Sequence, residues 1–115
     1  MRSPSTISTP DDSCTLSVDG EAGIHVFVLT GIIDARAQQI LSGLEDRVTT
    51  PKVRFDFAQV KRINSMGIAL LLRCFKQIRD RKQAEIRLSN VNEVNAMLFR
   101  ITGIFLLADL EEGSI

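Results

Sequence analysis

The chain contains no tryptophan and no tyrosine, and six phenylalanines are its whole aromatic complement. The residues that most often stack on bases or anchor protein interfaces are therefore missing. One histidine, His25, and two cysteines without CxxC spacing, Cys14 and Cys74, supply no metal-ligand set. Two lone thiols fit a reducing compartment better than a disulfide scaffold. Neither sign of charge is in excess, since 14 Lys and Arg offset 14 Asp and Glu. Bulk attraction to nucleic acid or to an anionic membrane is not expected. The longest apolar run, residues 68–72, is far too short to span a bilayer. No basic segment followed by an apolar one opens the sequence, so export is not expected and the expected location is cytoplasmic. Glycine-rich phosphate loops of either common spacing are absent, which leaves nucleotide hydrolysis without support.

What is present describes one globular domain. The 115 residues are 44% hydrophobic and 24% charged, enough for a core without staples. Residues 1–12, rich in Ser, Thr and Pro, read as a disordered leader, residues 13–112 as the domain and 113–115 as a tail. Residues 14–18 and 24–29 have strand character, and the glycines between them suggest a hairpin. Asp34 is placed to cap a first helix, in which Ala37, Ile40, Leu41, Leu44 and Val48 recur at helical spacing until Thr49-Thr50-Pro51 ends it. A short apolar strand is predicted at 53–57, followed by a loop. Ser65 then caps a second helix with an inner face of Ile68, Leu71, Leu72, Phe75 and Ile78, widened by Leu70 and Cys74. Residues 85–88 make a further strand. Asn90 and Glu93 look like a capping pair for a third helix that buries Val91, Val94, Leu98 and Ile101 and ends at Gly103. Residues 104–107 close the apolar pattern, and Asp109, Glu111 and Glu112 form an acidic end. This alternation of strands and helices predicts an α/β fold with a mixed sheet.

Chemistry concentrates around the start of the second helix. Asn64-Ser65-Met66-Gly67 is a polar, small-residue turn at a helix N-terminus, where free N–H groups and the macrodipole favour anions. Ser65 is read first as the cap and second as a candidate phosphoacceptor. Met66 has two readings, buried filler or exposed adaptable contact. Arg73, Lys76, Arg79, Arg81 and Lys82 make the outer helix face basic. That face is either simply solvated or a surface that steers an acidic protein partner. Asp34 follows the second strand near the same end of the fold. A hydrolytic set drawn from Ser65, His25 and Asp56 lacks the Gly-x-Ser-x-Gly elbow, so no enzyme, metal or cofactor is expected.

Three local patterns occur in order: Thr30-Gly31-Ile32-Ile33-Asp34; residues 55–60 followed by Ile63-Asn64-Ser65-Met66-Gly67-Ile68; and Leu88-Ser89-Asn90-Val91 with Ile101-Thr102-Gly103-Ile104. Together they resemble STAS domains, the anti-sigma factor antagonist family, over residues 14–112. The resemblance implies a single-domain fold with a four- to five-stranded mixed sheet and helices packed mainly on one face. It implies protein binding: docking on an anti-sigma factor or switch-type protein kinase, with a partner phosphatase in control. The surface would comprise Asp34, Asn64, Ser65, Met66 and Gly67, with Arg73 and Lys76 beside it. Phosphorylated members carry a serine immediately before the glycine of an Asp-Ser-Ser-Gly-like motif. Here Met66 takes that place, Asn64 replaces the Asp, and Ser65 matches the first serine. The alternative implied by the resemblance is an accessory subunit, like the solitary STAS proteins that associate with the ATPase of lipid-transport ABC systems.

Overall fold

Apolar and polar residues alternate along 52–57 and 85–89, and in the computed structural model, which describes residues 12–21 and 23–111, they form strands. Five strands lie side by side in sequence order: β1 (Thr15–Glu21), β2 (Ile24–Ile33), β3 (Lys52–Ile63), β4 (Glu85–Ser89) and β5 (Asp109–Leu110). β1 and β2 pair antiparallel as the expected hairpin, and the remaining pairs are parallel. Each parallel pair needs a crossover. These are supplied by a segment containing α1 (Gln38–Leu41), by α2 (Ser65–Lys82) and by α3 (Glu93–Thr102). The result is a five-stranded mixed α/β sheet.

One sheet face is dry. Phe27, Leu29, Val53, Phe55, Ile86 and Leu88 are fully buried there. The alternate positions Arg54, Asp56, Glu85 and Arg87 are only partly covered, and Arg54 pairs with Glu111 at 2.9 Å while Arg87 pairs with Glu85. All six phenylalanines are spent on the covered side, in two groups. Phe27, Phe55 and Phe75 stack at centroid separations of 5.2 and 4.9 Å. Phe57, Phe99 and Phe105 follow at 5.4 and 6.1 Å. Such pairs add about 0.5–1.5 kcal/mol each beyond the burial of their area.

Several expectations are corrected. The loop predicted after residue 57 is strand, because β3 continues to Ile63 alongside β2. A register shift breaks the alternation there, so the buried positions become Val60 and Ile63, three apart, and the period-two signal disappears. The first helix is not continuous. A 3₁₀ turn at Ala35–Ala37 leads into the four residues of α1, and a second 3₁₀ turn follows at Leu44–Arg47. Gly43, at φ 76°, makes the break, while Ala37, Leu41, Leu44 and Val48 still reach the core.

Asn92, not Asn90, caps α3, accepting from the Asn95 N–H at 2.8 Å. Asn90 is left-handed at φ 57° and donates to Asp56 at 3.0 Å. The expected phase of α3 is also overturned: Asn95, Ala96 and Phe99 face the core, whereas Val94 and Ile101 are exposed. Val91 is buried but precedes the helix, and Leu98 is half-buried. Gly103 does end α3, at φ 89°. Within the acidic end Asp109 and Leu110 form β5, paired with β4 through Arg87↔Asp109 and Leu88↔Leu110, and Glu112 lies outside the described residues. The expected leader, apart from Asp12, and the tail lie outside the described residues.

Candidate functional site

Parallel pairing sets the geometry of the site. β2 and β3 end in register at Ile33↔Ile63, so the residues that follow each strand, Asp34 and Asn64, emerge side by side at the sheet's carboxyl edge. The Asn64 N–H donates to the Ile33 carbonyl at 3.1 Å, tying the two chain exits together.

Asn64, not Ser65, is the cap of α2. Its backbone is extended and its Oδ1 accepts from the Gly67 N–H at 2.8 Å, while the Ile68 N–H reaches its carbonyl at 2.9 Å. Ser65 is the first helical residue, and its hydroxyl is left at an exposed position. The expectation that Ser65 caps the helix is therefore wrong. Both residue types cap well, and the Ile33 carbonyl decides between them by holding the Asn64 N–H.

Gly67 is buried against the end of β2. A Cβ there would lie 2.7 Å from the Ile33 carbonyl carbon and closer still to its oxygen. A glycine is thus required for α2 to start this close to β2. Met66, by contrast, is 51% exposed, so it is not buried filler.

Met66, Ala69, Arg73 and Lys76 are all exposed, and at intervals of three and four residues they form one outward stripe on α2. Lys76 also reaches Asp80 at 3.0 Å across one helical turn, a pairing of two well-solvated groups that contributes little. Beside the stripe, a shallow cleft between α1 and α2 is lined by Gln38, Ser42, Leu70, Arg73 and Gln77. At about 90 Å³ it is far smaller than the roughly 300–1,000 Å³ clefts that hold small substrates.

Asp34 is half-buried and already engaged. Its carboxylate accepts from the Arg36 N–H at 3.0 Å and from the guanidinium at 2.9–3.2 Å. The Arg36 side chain, then its backbone N–H, holds the Asp34 carboxyl below the usual carboxylate range. Asp34 also caps the 3₁₀ turn that opens the first helical segment, in line with its expected capping role. Arg36 was not singled out from sequence, although its spacing of two from Asp34 is a local signal for this pairing. Nothing local marks Ile33, whose contribution is a carbonyl.

The imagined hydrolytic set does not assemble. His25 pairs in register with Val53, ten residues before Ile63 and so roughly 30 Å from Ser65 along the strand. Asp56 is bonded to the Ala58 N–H and to Asn90. Among the described residues there is no cluster of three metal-ligating side chains and no helix long and apolar enough to cross a membrane.

A family model for the STAS domain matches residues 15–112. No curated protein sequence matches. Among solved structures, an anti-sigma factor antagonist from Mycobacterium paratuberculosis superposes with a TM-score of 0.68 at 19% identity, covering 92% of this chain and 91% of that one. The anti-sigma factor antagonist SpoIIAA in its unphosphorylated form gives 0.65 at 17% identity, with 85% and 90% covered. A sulfate transporter family protein from Wolinella succinogenes gives 0.67 at 14% identity, with 77% and 78% covered. At these identities the likeness to solved structures is one of fold.

Proposed function

The chain belongs to the STAS domain family, and from that premise we propose that it is a non-catalytic protein-binding module. It docks an anti-sigma factor or switch-type protein kinase through Asp34, the Asn64–Gly67 turn and the adjoining stripe of α2. The observation that carries this reading is the exposed Met66, 51% accessible, on a helix start fixed by the Asn64 cap and the Gly67–Ile33 contact. A rigid loop presents a large, adaptable apolar side chain to solvent, with basic groups within reach. An unbranched thioether at such a place suits protein contact. Arg73 and Lys76 steer an acidic surface toward it. Because a thioether accepts no phosphate, binding at this loop is not switched off by phosphorylation at residue 66.

Calorimetric titration of the purified chain with anti-sigma factors and switch-type kinases of the same genome tests the reading. Met66→Asp and the double reversal Arg73→Glu/Lys76→Glu each weaken binding by about tenfold or more, while the melting temperature stays nearly unchanged. Unaltered affinity in both variants, or recovery of a transporter ATPase and no kinase-like partner, overturns it.

A further inference from the structure

A second surface is left over once the core and the docking loop are accounted for. Val94, Met97 and Ile101 are 76%, 58% and 75% exposed, and their spacing of three and four places them in one stripe along α3. The opposite side of the same helix, Asn95, Ala96 and Phe99, is the one that packs into the domain. Exposed apolar residues are ordinary when scattered, but an aligned set is not.

We propose that this stripe is a self-association face, on which two copies of the chain pair through antiparallel α3 helices about a two-fold axis beside Met97. The sequence of the stripe is self-complementary about that point. Val94 precedes Met97 by three residues and Ile101 follows it by four, so in the antiparallel pair Val94 meets the partner's Ile101 and Met97 meets the partner's Met97. Glu93 and Arg100 lie seven residues apart on one flank of the stripe, both exposed. Neither is in an ion pair among the described residues. Antiparallel helices bring like flanks together, so Glu93 faces the partner's Arg100 and the pair forms twice. Glu93, Ala96, Met97 and Arg100 also enclose a shallow depression. A net charge of zero sets up little repulsion between copies.

The three side chains expose roughly 400 Å² of apolar surface, the size of the largest patch on an ordinary monomer and often a functional one. A standard interface buries about 800 Å² per partner, so the pair is a concentration-dependent dimer and not a permanent one.

Sedimentation velocity on the full chain from about 5 to about 500 µM, the range suited to a small interface, tests this. A monomer-to-dimer shift is expected, abolished by Met97→Glu without loss of melting temperature. Glu93→Arg and Arg100→Glu each weaken the dimer about tenfold, and the double reversal restores it because each cross-pair re-forms with its signs exchanged. Met97→Cys, beside the axis, yields a covalent dimer on mild oxidation, the native thiols being buried. A chain that stays monomeric throughout, a dimer indifferent to Met97→Glu, or a double reversal that restores nothing overturns the proposal. So does a monomeric chain whose Met97→Glu variant loses affinity for another protein, since the stripe would then belong to that partner.

Discussion

The Ile33 carbonyl and the α-carbon of Gly67 are in direct apposition. The carbonyl oxygen accepts the Asn64 N–H at 3.1 Å, and a Cβ on Gly67 would stand 2.7 Å from the carbonyl carbon. The obstructing atoms are backbone of a fully buried residue held in the β2–β3 ladder, so they cannot swing aside as a flexible side chain would. Gly67→Ala therefore costs about 3 kcal/mol in urea unfolding. Gly20→Ala, where an added Cβ meets nothing within 4 Å, changes stability by no more than about 0.5 kcal/mol. A loss at Gly67 as small as that of the control would show that α2 re-seats freely and that the loop is not held by this contact.

The cap assignment gives a second expectation. Asn64 bonds the Gly67 N–H, whereas Ser65 lies inside the first turn with its hydroxyl exposed. Asn64→Ala costs about 1 kcal/mol, and Asn64→Asp retains the bond while adding a charge that suits a helix N-terminus. Ser65→Ala stays within about 0.5 kcal/mol of the native chain. Equal losses at the two positions in thermal or chemical unfolding would return the cap to Ser65.

Burial, with a smaller push from Glu45, raises the Cys74 thiol from 9.0 to about 12, and burial raises Cys14 as well. Neither thiol should react with a disulfide reagent in the native protein at neutral pH, and both should react in denaturant. The sign of the linked stability follows directly. Above pH 9.0 the unfolded chain releases the Cys74 proton while the folded chain keeps it up to about 12, so this thiol favours unfolding as pH rises, by about 1 kcal/mol per unit. Cys74→Ala removes that slope. Parallel pH profiles for the native chain and the variant between 9 and 11 would contradict it.

How much of this was legible in the sequence varied by element for physical reasons. α2 carries one apolar face and a basic opposite face, so its extent and inner positions, apart from the half-buried Leu72, follow from periodicity. α3 carries apolar residues on two opposed faces. Periodicity identifies a helix but not which face turns inward, and the choice falls to Phe99, wedged between Phe57 and Phe105. β5 has two residues and no local pattern; it exists because β4 offers an edge and Arg54 holds Glu111. At the turn that opens α2 the residue types Asn64, Ser65, Met66 and Gly67 stand out in the sequence, but the division of labour among them does not. Asn64 becomes the cap and Gly67 the buried contact because of Ile33, thirty or more positions earlier in the chain.

The loop's missing hydroxyl leads to the most direct functional expectation. Residue 66 is exposed in the first turn of an eighteen-residue helix, a setting in which backbone N–H groups and the dipole stabilise an added phosphate. Everything needed to present a serine there is in place except the serine. Incubated with ATP and the switch-type kinase proposed as its partner, Met66→Ser should gain one phosphate by intact mass and lose affinity for that kinase, whereas the native chain should gain none. Ser65 supplies the control, since its hydroxyl is one residue away at a likewise exposed position. If the double variant Ser65→Ala/Met66→Ser is still modified, the acceptor is residue 66. A native chain that takes up a phosphate, and loses that ability in Ser65→Ala, would place the switch one residue earlier and refute the inference that Met66 removed it.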